Sequence, residues 1–185
     1  MTCSAAGGPE AEGPPRRLFL VGPMAAGKTT LGRQLAQRLD MAFVDSDREI
    51  EARAGVDIPT IFDFEGEAGF RQREHRVLDE LTQRDNIVVA TGGGAILRPE
   101  NRQILHERGF VVHLAIPVDE QLRRTRRDRS RPLLQRGDRR ATLTKLTQER
   151  DPLYRDVAHV TIATEGRRSR QMLDRILAHL PARLR

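Results

Sequence analysis

The chain has 185 residues with a formal net charge of +6, 38% hydrophobic and 4% aromatic residues, no Trp and one Cys. That length fits a single α/β domain with a real core. No run of about 18 apolar residues is present to cross a membrane, and the lone Cys3 excludes an internal disulfide or a Cys-based zinc site.

Residues 1–17 are rich in Ala, Gly, Pro and Glu and lack the apolar core of a secretion signal, so a disordered tail on a soluble cytoplasmic protein is expected. The first strand is Leu18-Phe19-Leu20-Val21. It runs into Gly22-Pro23-Met24-Ala25-Ala26-Gly27-Lys28-Thr29, which has the spacing G-x-x-x-x-G-K-[ST]. A loop of small residues lets successive backbone N–H groups converge on phosphate oxygens, and the helix that follows adds its positive end. Lys28 can reach the β- and γ-phosphates and the Thr29 hydroxyl can ligate Mg²⁺.

Leu31, Leu35 and Leu39 then recur at helical spacing, and Met41 to Val44 read as a second strand. Just past it stand Asp45-Ser46-Asp47. If the β conformation persists, both carboxylates point to one side, where one can hold Mg²⁺ and the other can accept a proton from an attacking hydroxyl. The same residues also suit a cap on a helix over Asp47 to Arg53. A helical pattern over Glu65 to Arg84 carries Arg71, with Glu74 one turn on as a pairing partner.

The third strand, Ile87 to Ala90, ends in Gly92-Gly93-Gly94. A tight turn needs one or two glycines, so the surplus suggests close approach of backbone to a ligand, with a plain turn as the alternative. Helices over Arg98 to Arg108, Val118 to Arg127, Ala141 to Asp156 and Ser169 to Leu180 alternate with strands at Phe110 to Ile116 and Val157 to Ala163. This alternation predicts a five-stranded parallel sheet flanked by helices, with ligands at the carboxyl ends of the strands. The three motifs at the ends of the first three strands should therefore meet in one crevice.

His75, His106, His113, His159 and His179 lack metal-site spacing and read as surface or edge residues. Nine Arg and two Asp fall between Arg123 and Arg140, and the rest of the chain is close to neutral. The excess charge is thus one local cluster, which can grip phosphate or nucleic acid. With one Tyr and no Trp, base stacking has little support. Within the cluster, Arg131-Pro132-Leu133-Leu134 combines a stiffened backbone with a cation able to close on a transferring phosphoryl group.

Taken together, Gly22 to Thr29, Phe43 to Glu51, Phe70-Arg71, Gly92 to Gly94, Arg131 to Leu134 and Pro152-Leu153-Tyr154-Arg155 resemble the shikimate kinases, in order and with family-like spacing from about Leu18 to Leu180. The resemblance implies a P-loop NTPase fold with a mobile arginine-rich lid (123–140) and a small helical substrate-binding region (46–84) inside one kinase domain (18–185). It also implies ATP-dependent phosphorylation of the 3-hydroxyl of shikimate, a step towards chorismate and the aromatic amino acids.

Family roles then fall on matching residues. ATP would lie against Gly22, Ala25, Ala26, Gly27, Lys28, Thr29 and Thr30, with Arg124 on the adenine and Arg168 in the adenine loop. Thr29 and Asp45 would hold Mg²⁺, and Asp47 would bind hydroxyls and act as base. Arg71 and Arg155 would clamp the shikimate carboxylate, Gly92, Gly93 and Gly94 would meet the ring, and Arg131 would touch both ligands; catalysis falls to Asp47, Lys28 and Arg131. The chain departs from the family at Ala25, where Gly is common, and a positive φ there would cost about 1 kcal/mol or more. A monomer without nucleic-acid or membrane partners is expected. The alternatives are a gluconate or nucleotide kinase, a nucleotide-dependent nucleic-acid binder using the Arg cluster, and a nucleotide-binding regulator without turnover.

Overall fold

Unbroken apolar runs make poor half-exposed strands and good doubly covered ones. In a computed structural model of the chain, the described residues are 15–126, 138–164, 166 and 169–185. Strands β1 (Arg17–Val21), β2 (Ala42–Asp45), β3 (Ile87–Ala90), β4 (Phe110–Ala115) and β5 (Val160–Ala163) form one sheet in the order β2-β3-β1-β4-β5. All of its pairings are parallel. Between them run α1 (Lys28–Leu39), α2 (Ser46–Ala54), α3 (Ile58–Leu81), α4 (Pro99–Arg108), α5 (Val118–Thr125), α6 (Arg139–Val157) and α7 (Ser169–His179).

Strand alternation sorts the core into two halves. Leu18 and Leu20 of β1, Val88 of β3 and Val112 and Leu114 of β4 face Leu31 and Leu35 of α1 and Met172 and Ile176 of α7. Their neighbours Phe19, Val21, Val89 and Val111 face Val77 and Leu81 of α3, Leu105 of α4 and Tyr154 of α6. Each fully buried aliphatic side chain contributes about 1.5–3 kcal/mol, so both layers hold the sheet rigid beneath its carboxyl edge.

Several boundaries differ from the sequence expectation, and two of them have a clear physical reason. The fifth strand begins at Val160 and not Val157, because Val157 is the last residue of α6 and is buried with its core. The helix expected from Glu65 is the second limb of α3; a first limb starts at Ile58, capped by the Asp57 side chain, and the two join at Gly66 (φ 68°). Pro59 sits in the first turn of that limb, where the missing N–H is harmless.

His113 is not a surface residue. It lies on β4 with no exposed area, its ring stacked on Tyr154 at 5.0 Å, and its Nε2 has no hydrogen-bond partner among the described residues. Burial pushes its pKa down from 6.5 to about 4, opposed by Asp151 and aided by Arg155 and Lys28. The unfolded chain takes up this proton near pH 6.5 and the folded chain only near 4, so the stability present above pH 6.5 is lost as the pH falls through that window. The loss amounts to about 1.4 kcal/mol per pH unit, or about 3 kcal/mol in all. Urea unfolding at pH 7 and pH 4.5 should show a fall in stability that shrinks by 2–3 kcal/mol (about two pH units) in His113→Phe; parallel falls in the two proteins would contradict this assignment.

Candidate active site

The first functional segment is the turn between β1 and α1. Gly27 caps α1 with φ 94°, and Ala25 also takes a left-handed conformation, φ 62°. That conformation costs an alanine roughly 1–2 kcal/mol relative to the right-handed one, so the strain anticipated from the sequence is present. Lys28 Nζ donates to the carbonyls of Gly22 at 2.7 Å and Pro23 at 2.9 Å, which folds its ammonium back over the loop. Arg124 of α5 ties the loop down from the other side: Nη1 donates to the Ala25 carbonyl at 3.0 Å and Nη2 to the Thr164 carbonyl at 3.2 Å. Glu120 orients that guanidinium through Nε at 2.7 Å, and the hydrogen bonds from Arg123 and Arg124 hold its own carboxyl at about 2.

The loop separates two cavities. One, of about 380 Å³, is lined by Ala25, Ala26, Gly27, Thr30, Arg124 and Met172 among others. The second, of about 340 Å³, also touches Ala25, Gly27 and Thr30, and adds the carboxylates of Asp45, Asp47 and Glu74 and the guanidiniums of Arg71 and Arg150. A triphosphate draped over the loop would thus have a half-apolar compartment at one end and a charged one at the other.

Asp45 ends β2 and carries out two tasks with two oxygens. Its Oδ1 caps α2 by accepting from the N–H groups of Asp47 at 3.1 Å and Arg48 at 3.4 Å. Its Oδ2 accepts from the Thr29 hydroxyl at 2.6 Å. The β conformation does not persist beyond it: α2 begins at Ser46, so Asp47 reaches the crevice from the first turn of a helix and not by strand alternation. The capping reading therefore holds for Asp45, whose second oxygen is left to meet Thr29.

The glycine turn is shaped by its neighbours. A Cβ at Gly92 would lie 2.5 Å from Asp47 Oδ1, and a Cβ at Gly94 would lie 2.5 Å from Arg71 Nη2. Only backbone without side chains lets a carboxylate and a guanidinium come this close. Gly93 has no such crowding; its nearest neighbours would be 3.7 Å away. Arg71 of α3 is held by Glu74 Oε2 at 2.6 Å and Glu67 Oε1 at 3.3 Å. Glu74 is 1% exposed, and burial pushes its carboxyl above the usual range against the pull of Arg71.

One expected residue is not brought here. Arg155 lies 61% exposed beside Asp151, its Nε donating at 2.6 Å, at the rim of a separate cavity of about 280 Å³ against His113. The second guanidinium of the crevice is Arg150, five residues earlier on α6, whose Nη1 donates to the Gly93 carbonyl at 3.4 Å. Its Nε is buried with no hydrogen-bond partner among the described residues. Helical periodicity held the signal that could have found it: Arg150 and Tyr154 are one turn apart, on the face that meets the glycine turn. Arg168 and four of the nine arginines of the cluster (Arg127, Arg129, Arg131 and Arg136) lie outside the described residues.

Both the sequence and the fold have known relatives. The shikimate kinase family model matches residues 24–181. A shikimate kinase of Halorhodospira halophila is 60% identical over 166 residues, 90% of this chain and 94% of that protein. One from Burkholderia pseudomallei is 59% identical over 155 residues, 84% of each. The solved shikimate kinase of Acinetobacter baumannii in complex with shikimate superposes with a TM-score of 0.85 at 54% identity, covering 88% of this chain and 90% of its own. With a family match across most of its length and relatives at this identity, the chain belongs to the shikimate kinase family and is a kinase of the P-loop fold.

Proposed function

We propose that the protein transfers the γ-phosphoryl group of ATP to the 3-hydroxyl of shikimate, with Asp47 as the base. The observation that carries this reading is the pair of cavities sharing the phosphate loop, one fit for a nucleoside and the other holding Asp47, Arg71 and Arg150 around the glycine turn. The hydroxyl oxygen forms a bond to the γ-phosphorus while the bond to the bridging oxygen breaks. The hydroxyl proton passes to Asp47 and ADP leaves.

Phosphoryl transfer of this kind depends on positioning and charge more than on covalent chemistry. The loop N–H groups and Lys28 bind the phosphates, and Arg124 flanks the adenine. Arg71, steadied by buried Glu74, and Arg150 provide two planar forks for the shikimate carboxylate. The unpartnered Nε of Arg150 supports this role, since a buried donor without an acceptor is costly until a ligand supplies one. Residues 46–84 form the acceptor side, and Arg131 is assigned to a lid over 123–140. The touching oxygens of Thr29 and Asp45 suit a hard divalent cation; bound there, Mg²⁺ would offset negative charge on the β- and γ-phosphates.

ADP release in a coupled assay should depend on shikimate, and Asp47→Asn should lower kcat by about 10²–10⁴-fold with little change in the KM for ATP. Undiminished turnover in that variant would remove Asp47 as base. In the same assay, Arg150→Ala should raise the KM for shikimate about 10- to 100-fold through loss of a charge-assisted hydrogen bond. Arg155→Ala should leave it within about twofold; the reverse ranking would return the carboxylate to Arg155.

A further inference from the structure

A turn of three glycines is a poor instrument for holding a ligand. Each glycine loses more backbone freedom on ordering than any other residue, so the turn presents fixed groups only if something outside it imposes its shape. Two buried hydroxyls grip it, one at a backbone donor and one at a backbone acceptor. Ser46 has no exposed area, and its Oγ accepts the Gly92 N–H at 3.0 Å. Tyr154 is 1% exposed, and its hydroxyl donates to the Gly93 carbonyl at 2.5 Å.

We infer that Ser46 and Tyr154 are positioning residues which set the affinity for the acceptor by fixing the Gly92-Gly93-Gly94 turn without touching either substrate. The inference rests on the proposed function, in which that turn lies against shikimate. Each residue is itself well held. Ser46 opens α2 between the two acidic residues, so the helix that carries Asp47 also pins the turn. Where the β1 ladder ends with Thr91 N–H donating to Leu20 at 3.1 Å, the Ser46 side chain takes over the next backbone donor.

Tyr154 belongs to the core on the α6 side of the sheet, and its ring stacks on His113 with 21° between planes. Burial keeps its phenol protonated, hence a donor. Arg150, one turn earlier on α6, donates to the same Gly93 carbonyl at 3.4 Å. One helix therefore delivers both a guanidinium of the acceptor crevice and the hydroxyl that locates the turn.

Steady-state kinetics with each substrate varied tests this. Tyr154→Phe keeps the ring and removes the donor, and Ser46→Ala removes the acceptor. Each should raise the KM for shikimate about tenfold while the KM for ATP stays within about twofold. Ser46→Thr, which restores a hydroxyl, should recover most of the loss. A shikimate KM unchanged in both variants, or KM values for both substrates rising together, would overturn the inference. If either variant fails to fold, hydrogen exchange of the unmodified protein decides: the Gly92 amide should be protected, and exchange at the rate of an open loop would refute the grip. Unmodified protein that releases no ADP with shikimate would instead defeat the proposed function.

Discussion

Parallel pairing of β1 with β3, and of β3 with β2, is the constraint on which the site rests. Ala90 of β3 is in register with Leu20 on one side and Asp45 on the other. Strands lie about 4.8 Å apart, so three segments distant in sequence end at one level within about 10 Å. The next residues along each strand are the phosphate loop, the glycine turn and the Asp-Ser-Asp segment. A one-residue slip of any strand would move its inward side chains to the opposite face. The alternating division of Leu18 and Leu20 from Phe19 and Val21 between the two core layers opposes such a slip.

On this frame the site holds several unfavourable arrangements, each beside a compensating contact. Ala25 is in a left-handed conformation, and its carbonyl is fixed by Arg124. The Glu74 carboxylate is buried, and Arg71 meets it at 2.6 Å. Removing one partner from such a pair is far more damaging than the net worth of the pair suggests, because the other charge stays buried. These contacts are therefore better understood as fixing orientation than as adding stability.

Local spacing made much of this legible in the sequence. The phosphate loop, the strand ends and the Arg71–Glu74 pair depend on neighbours within a few residues, and they stand where the spacing indicated. What was not legible depends on which way a side chain faces once packed. Arg150 and Arg155 are five residues apart on α6, about 140° around the helix axis, so only one can face the glycine turn. His113 sits in an apolar strand, and its burial follows from helices covering both faces. The cap at Asp45 was legible, whereas the meeting of its other oxygen with the Thr29 hydroxyl was not, because that contact joins residues from two different elements.

A crystal structure of the protein with a non-hydrolysable ATP analogue and shikimate is the most direct measurement. It should place the shikimate 3-hydroxyl about 3 Å from an Asp47 oxygen, facing the γ-phosphoryl group, with the carboxylate between Arg71 and Arg150. Shikimate seated on Arg155 in the cavity beside His113, or a ring turned away from Asp47, would contradict the account.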